Sequence, residues 1–97
     1  MIVNISEAAK RDLAEIGDYI AQDDPHSAFS FVMELEAKCL GLADFPDAHP
    51  LVDRYAKQGL RRCRHGKYLI FFYRRSARVT VIRVIHASRD YLTILES

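Results

Sequence analysis

Apolar residues recur at helical spacing through the first half of the chain. One run has steps of four, three and four, and it consists of Ala9, Leu13, Ile16 and Ile20. A second run has steps of four, three, four and three, and it consists of Ala28, Val32, Leu35, Cys39 and Leu42. Such spacing places the apolar side chains on one side of a helix. The pattern therefore predicts two amphipathic helices.

Each of these helices has a start signal in the sequence. Ser6 precedes the first helix as a capping residue, and Glu7 places an acid in the first turn. Asp24 is positioned to cap the second helix, with Pro25 at its first position, where a missing N–H costs nothing. Because the break between the helices is so short, we expect an antiparallel helical hairpin.

Strand patterns flank this hairpin. Residues 1–5 suit a short strand, and residues 60–64, 67–74 and 79–86 suit three more, with a loop through residues 45–58 and turns near Gly66 and residues 76–77. Residues 88–97 suit a short final helix or a tail. The order β-α-α-β-β-β, with a possible last α, predicts a single α+β domain over residues 1–97. We expect its hairpin to cover one face of a small antiparallel sheet.

The middle strand is apolar on both sides. Alternation places Leu69, Phe71 and Tyr73 on one face, and it places Tyr68, Ile70 and Phe72 on the other. A strand of this kind lies centrally in a sheet. With the hairpin on one face, we expect the other face to stay partly open as a candidate binding surface.

Composition excludes several classes of protein. The first residues lack the basic and apolar regions of a signal peptide, and no run approaches the roughly 18 to 20 apolar residues of a membrane span, so we expect a cytoplasmic protein without membrane contact. Cys39 and Cys63 do not form a C-x-x-C pair, and we expect both to be free thiols. The histidines show no ligand spacing, so we expect neither a metal nor another cofactor.

The small net charge of +1 hides a strong asymmetry. Residues 1–53 carry a net charge of −8, from 3 basic and 11 acidic side chains, whereas residues 54–97 carry +9, from 11 basic and 2 acidic ones. Since charged side chains are rarely buried unpaired, we expect one acidic and one basic surface. The basic surface would suit nucleic acid, a ribosome or an acidic protein segment. The alternative is that the two halves pair their charges across the fold.

Five segments, taken in this order, resemble the ParE/RelE toxin superfamily. They are Ser6 to Leu13 (SEAAKRDL), Asp44-Phe45-Pro46, Gly59 to Arg62 (GLRR), Gly66 to Tyr73 (GKYLIFFY) and Val81 to Asp90 (VIRVIHASRD). The resemblance spans nearly the whole chain. It implies a small α+β toxin that is neutralised by an antitoxin encoded beside it.

The two branches of that superfamily imply different chemistry. RelE-like members are ribosome-dependent mRNA endoribonucleases, and an arginine commonly follows the aromatic residue that opens their middle strand. Here Leu69 follows Tyr68, so a cation for the transition state is missing. Should the chain be such a ribonuclease, its catalytic candidates are Arg61, Arg62, His86, Arg89 and Tyr91.

The end of the last strand favours the ParE-like branch, whose implied action is to trap DNA gyrase on cleaved DNA without catalysing a reaction. For toxicity and target binding the resemblance points to His86, Arg89, Asp90 and Tyr91. For the antitoxin we expect a helix or strand along the open sheet face, contacting Leu69, Phe71, Tyr73, Val81, Arg83 and Ile85. Structural roles compete with these: an edge position in solvent for Arg83, and a satisfied strand end for His86. A nontoxic interaction module with the same fold is the remaining alternative.

Overall fold

The structure is a computed structural model that describes residues 1–96. Its strands are β1 (Ile2–Ile5), β2 (Leu60–His65), β3 (Tyr68–Arg75) and β4 (Arg78–His86). Its α-helices are α1 (Glu7–Ala21), α2 (Pro25–Leu40) and α3 (Tyr91–Glu96). Three 3-10 segments connect α2 to β2, and they are Gly41–Ala43, Pro46–Ala48 and Asp53–Gln58. The predicted order of elements is confirmed, including a short last helix, and Ser97 lies outside the described residues.

Both predicted helix starts are confirmed by hydrogen bonds. The Ser6 hydroxyl accepts the backbone N–H of Ala9 at 3.1 Å, which satisfies one of the free donors at the start of α1. Asp24 does the same for α2, because its Oδ1 accepts the backbone N–H of Ser27 at 3.1 Å. The apolar stripes of α1 and α2 then pack on one face of the sheet, around Leu35, Ile70 and other fully buried residues.

The sheet is mixed, with the spatial order β1-β4-β3-β2. β2, β3 and β4 are antiparallel neighbours, but β1 pairs parallel to β4, so the expectation of a wholly antiparallel sheet was wrong in this respect. A parallel neighbour has to be reached by a crossover connection. Here the α1–α2 hairpin and the strands after it bring the chain back beside β1. The α+β class itself is confirmed.

A β-bulge interrupts β4. Phe71 pairs with Arg83 and Phe72 pairs with Val81, which leaves Ile82 as an extra residue. The extra residue reverses the alternation along β4. Val81 therefore lies in the core beneath the helices, whereas Ile85 lies on the other face of the sheet. The expectation that these two residues share a face was wrong for this reason.

The other face of the sheet is covered by the chain itself. A second core lies there, and its buried members are Val52, Leu60, Leu69, Phe71 and Ile85. Its cover consists of partly buried residues from the 3-10 segment before β2 and from α3, namely Tyr55, Tyr91, Leu92, Ile94 and Leu95. The expectation of an open apolar face was wrong, because covering so much apolar surface is favourable at about 25 cal/mol per Å².

Candidate functional site

An open groove lies where β1 stops short. β1 pairs with β4 only as far as Val81, so within residues 1–96 the second half of β4 is paired with β3 on one side and has no strand on the other. Beside it, between α1 and the adjoining ends of β3 and β4, lies a groove of about 740 Å³, which we call the end groove. Its apolar wall includes Ile16, Ile20 and Phe31 from the two helices. Its polar rim includes Glu15, Lys67, His86 and Arg89.

His86 is held in one orientation at the end of β4. Its ring meets that of Tyr68 edge to face, with centroids 5.1 Å apart. The backbone N–H of Ser88 donates to Nδ1 at 3.1 Å, and the Ser88 hydroxyl lies 2.7 Å from the same nitrogen. Since a backbone N–H can only donate, Nδ1 is the acceptor and Nε2 carries the proton of the neutral ring. His86 therefore offers a donor through its other nitrogen.

Tyr68 forms the aromatic base of the end groove. Its ring lies 5.6 Å from that of Phe31, which joins the start of β3 to α2. Burial, and then the nearby Tyr19, raise the pKa of the Tyr68 phenol. The phenol stays neutral at physiological pH, so it can donate or accept a hydrogen bond but cannot act as a base.

A partly buried ion pair lies at the edge of the groove. Arg83 donates to both carboxylate oxygens of Asp12, at 2.8 and 2.9 Å, and the backbone N–H of Val84 donates to the same carboxylate at 2.8 Å. These bonds raise the pKa of Arg83, chiefly through the hydrogen bond to Asp12. Arg83 thus turns towards α1. Arg83 was expected either on the open apolar face or at an edge in solvent, and both expectations were wrong. Sequence reasoning missed Asp12, although its place between Ala9 and Ile16 puts an acid on the apolar stripe of α1.

Known proteins resemble the chain over nearly its whole length. Residues 3–91 match the family described as the ParE toxin of the type II toxin-antitoxin system, parDE. The chain belongs to the ParE toxin family. Toxin ParE1 of Caulobacter vibrioides is 36% identical over 88 residues, which cover 89% of this chain and 88% of that protein.

A solved structure supports the same fold. The chromosomal ParDE TA system from P. aeruginosa contains a chain that superposes with a TM-score of 0.74. The match covers 91% of this chain and 97% of the other, at 16% sequence identity. At that identity the likeness shows the fold alone. The ParE-type toxin indicated by the sequence motifs is therefore confirmed by family membership, and the α+β architecture by the structure.

The residues that ribonuclease chemistry would need do not meet in this ParE family member. Arg61 lies on the helix side of β2, where its Nη1 donates to the carbonyl oxygens of Asp47 at 3.2 Å and His49 at 2.5 Å. Arg62 lies on the opposite side, with its Nη1 3.4 Å from the Tyr91 hydroxyl. His86 and Arg89 line the end groove, apart from both. The five candidates are thus divided among three places.

The four residues expected to contact the target of this ParE toxin are also divided. His86 and Arg89 line the end groove. Asp90 caps α3, since its Oδ1 accepts the Thr93 backbone N–H at 3.3 Å and its Oδ2 accepts the Thr93 hydroxyl at 2.7 Å. These bonds, led by the one from the hydroxyl, lower the pKa of Asp90. Tyr91 packs on Phe71 with ring centroids 5.3 Å apart.

The six residues expected to contact the antitoxin do not form one exposed surface. Leu69, Phe71 and Ile85 are at most 6% exposed within the second core. Val81 is buried beneath the helices, Arg83 is bound to Asp12 as described, and Tyr73 is partly covered. The end groove is instead an open surface of this ParE fold. It was missed because its walls come from separate parts of the sequence.

Two further features of the described chain concern its helices and its possible metal ligands. Within residues 1–96, every helix is too short or too polar to cross a membrane. Over the same residues, no group of three or more His, Cys, Asp or Glu side chains is arranged to hold a metal ion.

Proposed function

We propose that this ParE-family protein is a noncatalytic toxin that poisons DNA gyrase and is neutralised by a cognate antitoxin. The separation of the ribonuclease candidates carries the proposal. Cleavage of RNA needs a base, an acid and a cation within reach of one phosphate. Arg61 is held by loop carbonyls and Arg62 by Tyr91, so neither accompanies His86 and Arg89 in the end groove. A role in binding, rather than in catalysis, suits this arrangement.

The end groove offers the polar groups for contact with gyrase. Arg89 is exposed, and His86 is held in place by Tyr68 and Ser88. A guanidinium beside a fixed imidazole donor suits a carboxylate or a backbone carbonyl of a protein partner. Asp90 and Tyr91 support this part of the chain, because they fix the start of α3 directly after Arg89.

The antitoxin, in this proposal, inserts an amphipathic segment into the same groove. An apolar side chain of that segment would lie against Ile16, Ile20 and Phe31, and its acidic groups would meet Lys67 and Arg89. The antitoxin would then cover the residues that contact gyrase. Neutralisation follows from competition for one surface and needs no change in the toxin fold.

Gyrase assays with matched charge variants test the proposal. Purified protein is expected to inhibit supercoiling and to raise the amount of cleaved DNA. Arg89→Gln removes a charged contact of about 1.5 to 3 kcal/mol, so inhibition should weaken by roughly 10-fold or more. Lys57→Gln removes the same charge from an exposed position outside the groove, and its inhibition should stay within about twofold of the parent.

Two results would contradict the proposal. One is codon-positioned cuts in mRNA on translating ribosomes, detected by toeprinting, because these would show the ribonuclease. The other is normal growth when the toxin is induced without its antitoxin, because this would indicate an interaction module without toxicity. Equal loss of gyrase inhibition in Arg89→Gln and Lys57→Gln would remove the end groove from the proposal.

A further inference from the structure

The turn between β3 and β4 gathers three arginines at one end of the molecule. Arg75 and Arg78 are directly opposite each other across the two strands, with only residues 76–77 between them. Arg74 precedes them, and all three side chains belong to exposed residues. We call Arg74, Arg75 and Arg78, with the two residues of the turn, the arginine tip.

These charges are left largely unpaired by the fold. Like charges directly opposite in a strand pair destabilise a hairpin. Within residues 1–96, Arg75 and Arg78 have no carboxylate within 4.0 Å, and Arg74 has only the exposed Asp47 at 3.9 Å. The ion pairs of the described chain that join its acidic half to its basic half involve only Asp12 and Asp47. The alternative of broad charge pairing across the fold therefore does not account for the tip.

The tip lies at the end of the sheet, beyond the start of β2. β2 begins at Leu60, which pairs with Tyr73, so Arg74 and Arg75 extend past the start of β2, while β4 stays paired with β1 as far as Arg78, opposite Ile2. The Arg75 guanidinium lies over the Tyr73 ring, with its carbon 5.0 Å from the centroid. This contact limits the freedom of the Arg75 side chain before any ligand binds.

The chemistry of the tip distinguishes nucleic acid from protein. Protein interfaces depend on a few aromatic or large apolar anchors, whereas the turn itself presents only a serine and an alanine. Arginines instead match the oxygens of phosphate groups. β1, β4 and β3 lie side by side at the tip, so the arginines suit the phosphates on the outside of a duplex and not the base edges within a groove.

We propose that the arginine tip binds the sugar–phosphate backbone of double-stranded DNA. The inference rests on the proposed function and deepens it, because a protein that holds gyrase on cleaved DNA has duplex DNA within reach. The end groove would contact the enzyme, and the arginine tip would contact the DNA that the enzyme holds.

Duplex binding without gyrase tests this directly. Fluorescence anisotropy with a labelled duplex of about 20 base pairs, measured over a range of salt concentrations, compares the parent with the double variant Arg75→Gln/Arg78→Gln. Each phosphate contact contributes about 0.9 to the slope of log K against log salt, so the slope should fall by about 2 units in the double variant. Affinity at low salt should fall by roughly 10-fold or more. Arg11→Gln/Lys57→Gln removes the same charge from other exposed positions and should change the slope by less than about 0.5.

Three outcomes would overturn the inference. The first is equal salt slopes for the two double variants, because the binding would then reflect net charge alone. The second is tighter binding to an RNA duplex of matched length. The third is loss of antitoxin binding in Arg75→Gln/Arg78→Gln with unchanged DNA binding, because the tip would then contact an acidic protein. Thermal melts of every variant verify folding. Since the assay contains no gyrase, parent protein that binds DNA through the tip but fails to inhibit gyrase refutes the proposed function and leaves this inference intact.

Discussion

Removal of the Asp12 carboxylate should destabilise the protein more than a typical substitution. Asp12 accepts two hydrogen bonds from Arg83 and one from the backbone N–H of Val84, and it is only 7% exposed. Asp12→Ala leaves a guanidinium without its partner and a buried N–H without an acceptor. Asp12→Asn removes the charge but keeps an oxygen that can accept from Val84.

The structure sets the size of the expected loss. Breaking a buried ion pair by removing one partner costs about 3 to 5 kcal/mol. The Arg83 side chain is 27% exposed, so water can partly solvate its unpaired charge, and the cost of breaking this ion pair should lie below that range. The unsatisfied N–H of Val84 adds about 1 to 3 kcal/mol. We therefore expect Asp12→Ala to lower the free energy of unfolding by about 3 kcal/mol. For Asp12→Asn we expect about 1 to 2 kcal/mol.

Thermal and urea denaturation measure these losses. For a domain of this size each kcal/mol lowers Tm by about 4 to 8 °C, so Asp12→Ala should melt roughly 12 to 24 °C below the parent. A double-mutant cycle with Arg83→Met should give a coupling energy of about 1 kcal/mol or more. A loss below about 1 kcal/mol for Asp12→Ala, or equal losses for the alanine and asparagine variants, would refute the assignment of Val84 and Arg83 as its partners.

Three further predictions concern backbone, thiols and pH. Gly59 has φ +81° and open space around it, so Gly59→Ala should lower the free energy of unfolding by about 1 to 2 kcal/mol. Gly41 has φ −68° and also lies in open space, so Gly41→Ala should raise the free energy of unfolding by about 0.4 to 1 kcal/mol. Equal effects of the two substitutions on stability would contradict this prediction. Burial raises the pKa of Cys39 to about 12 and also raises that of Cys63, so at pH 8 iodoacetamide should label neither thiol in folded protein and both in urea. A hydrogen bond from the Ser27 hydroxyl lowers the pKa of Asp24 from 3.8, so the stability that the Asp24 carboxylate contributes is complete above pH 3.8 and is lost as the pH falls through the lower pKa of the folded state. In acid titrations monitored by circular dichroism, Asp24→Ala should lack this part of the loss of stability.

The sequence predicted those features that depend on neighbouring residues. The capping groups of Ser6 and Asp24 act within three residues, so both helix starts could be read directly from the chain. Strand positions and the central place of β3 also followed from local alternation. The charge split predicted a basic surface from the second half of the chain, and the exposed Arg74, Arg75 and Arg78 belong to that half.

Features that depend on distant residues could not be predicted in this way. The extra residue Ile82 reverses the faces of β4, and a bulge is visible only when two strands are paired. The cover over Phe71 comes from residues 53–58 and from α3, which join the sheet face through tertiary packing alone. Arg83 was misplaced because its partner, Asp12, lies 71 residues earlier in the chain.

The short length of β1 has a consequence for association between molecules. Exposed backbone groups along a sheet edge invite the addition of a strand from another copy, which is a common route to fibrils. Beyond β1, the Ser6 hydroxyl binds the carbonyl oxygen of Ile82, and the Asp12 carboxylate binds the N–H of Val84. Side chains thus satisfy backbone groups that an incoming strand would need. The end groove therefore stays open to the side chains of a partner, while the addition of a strand from another copy at this edge of the sheet is disfavoured.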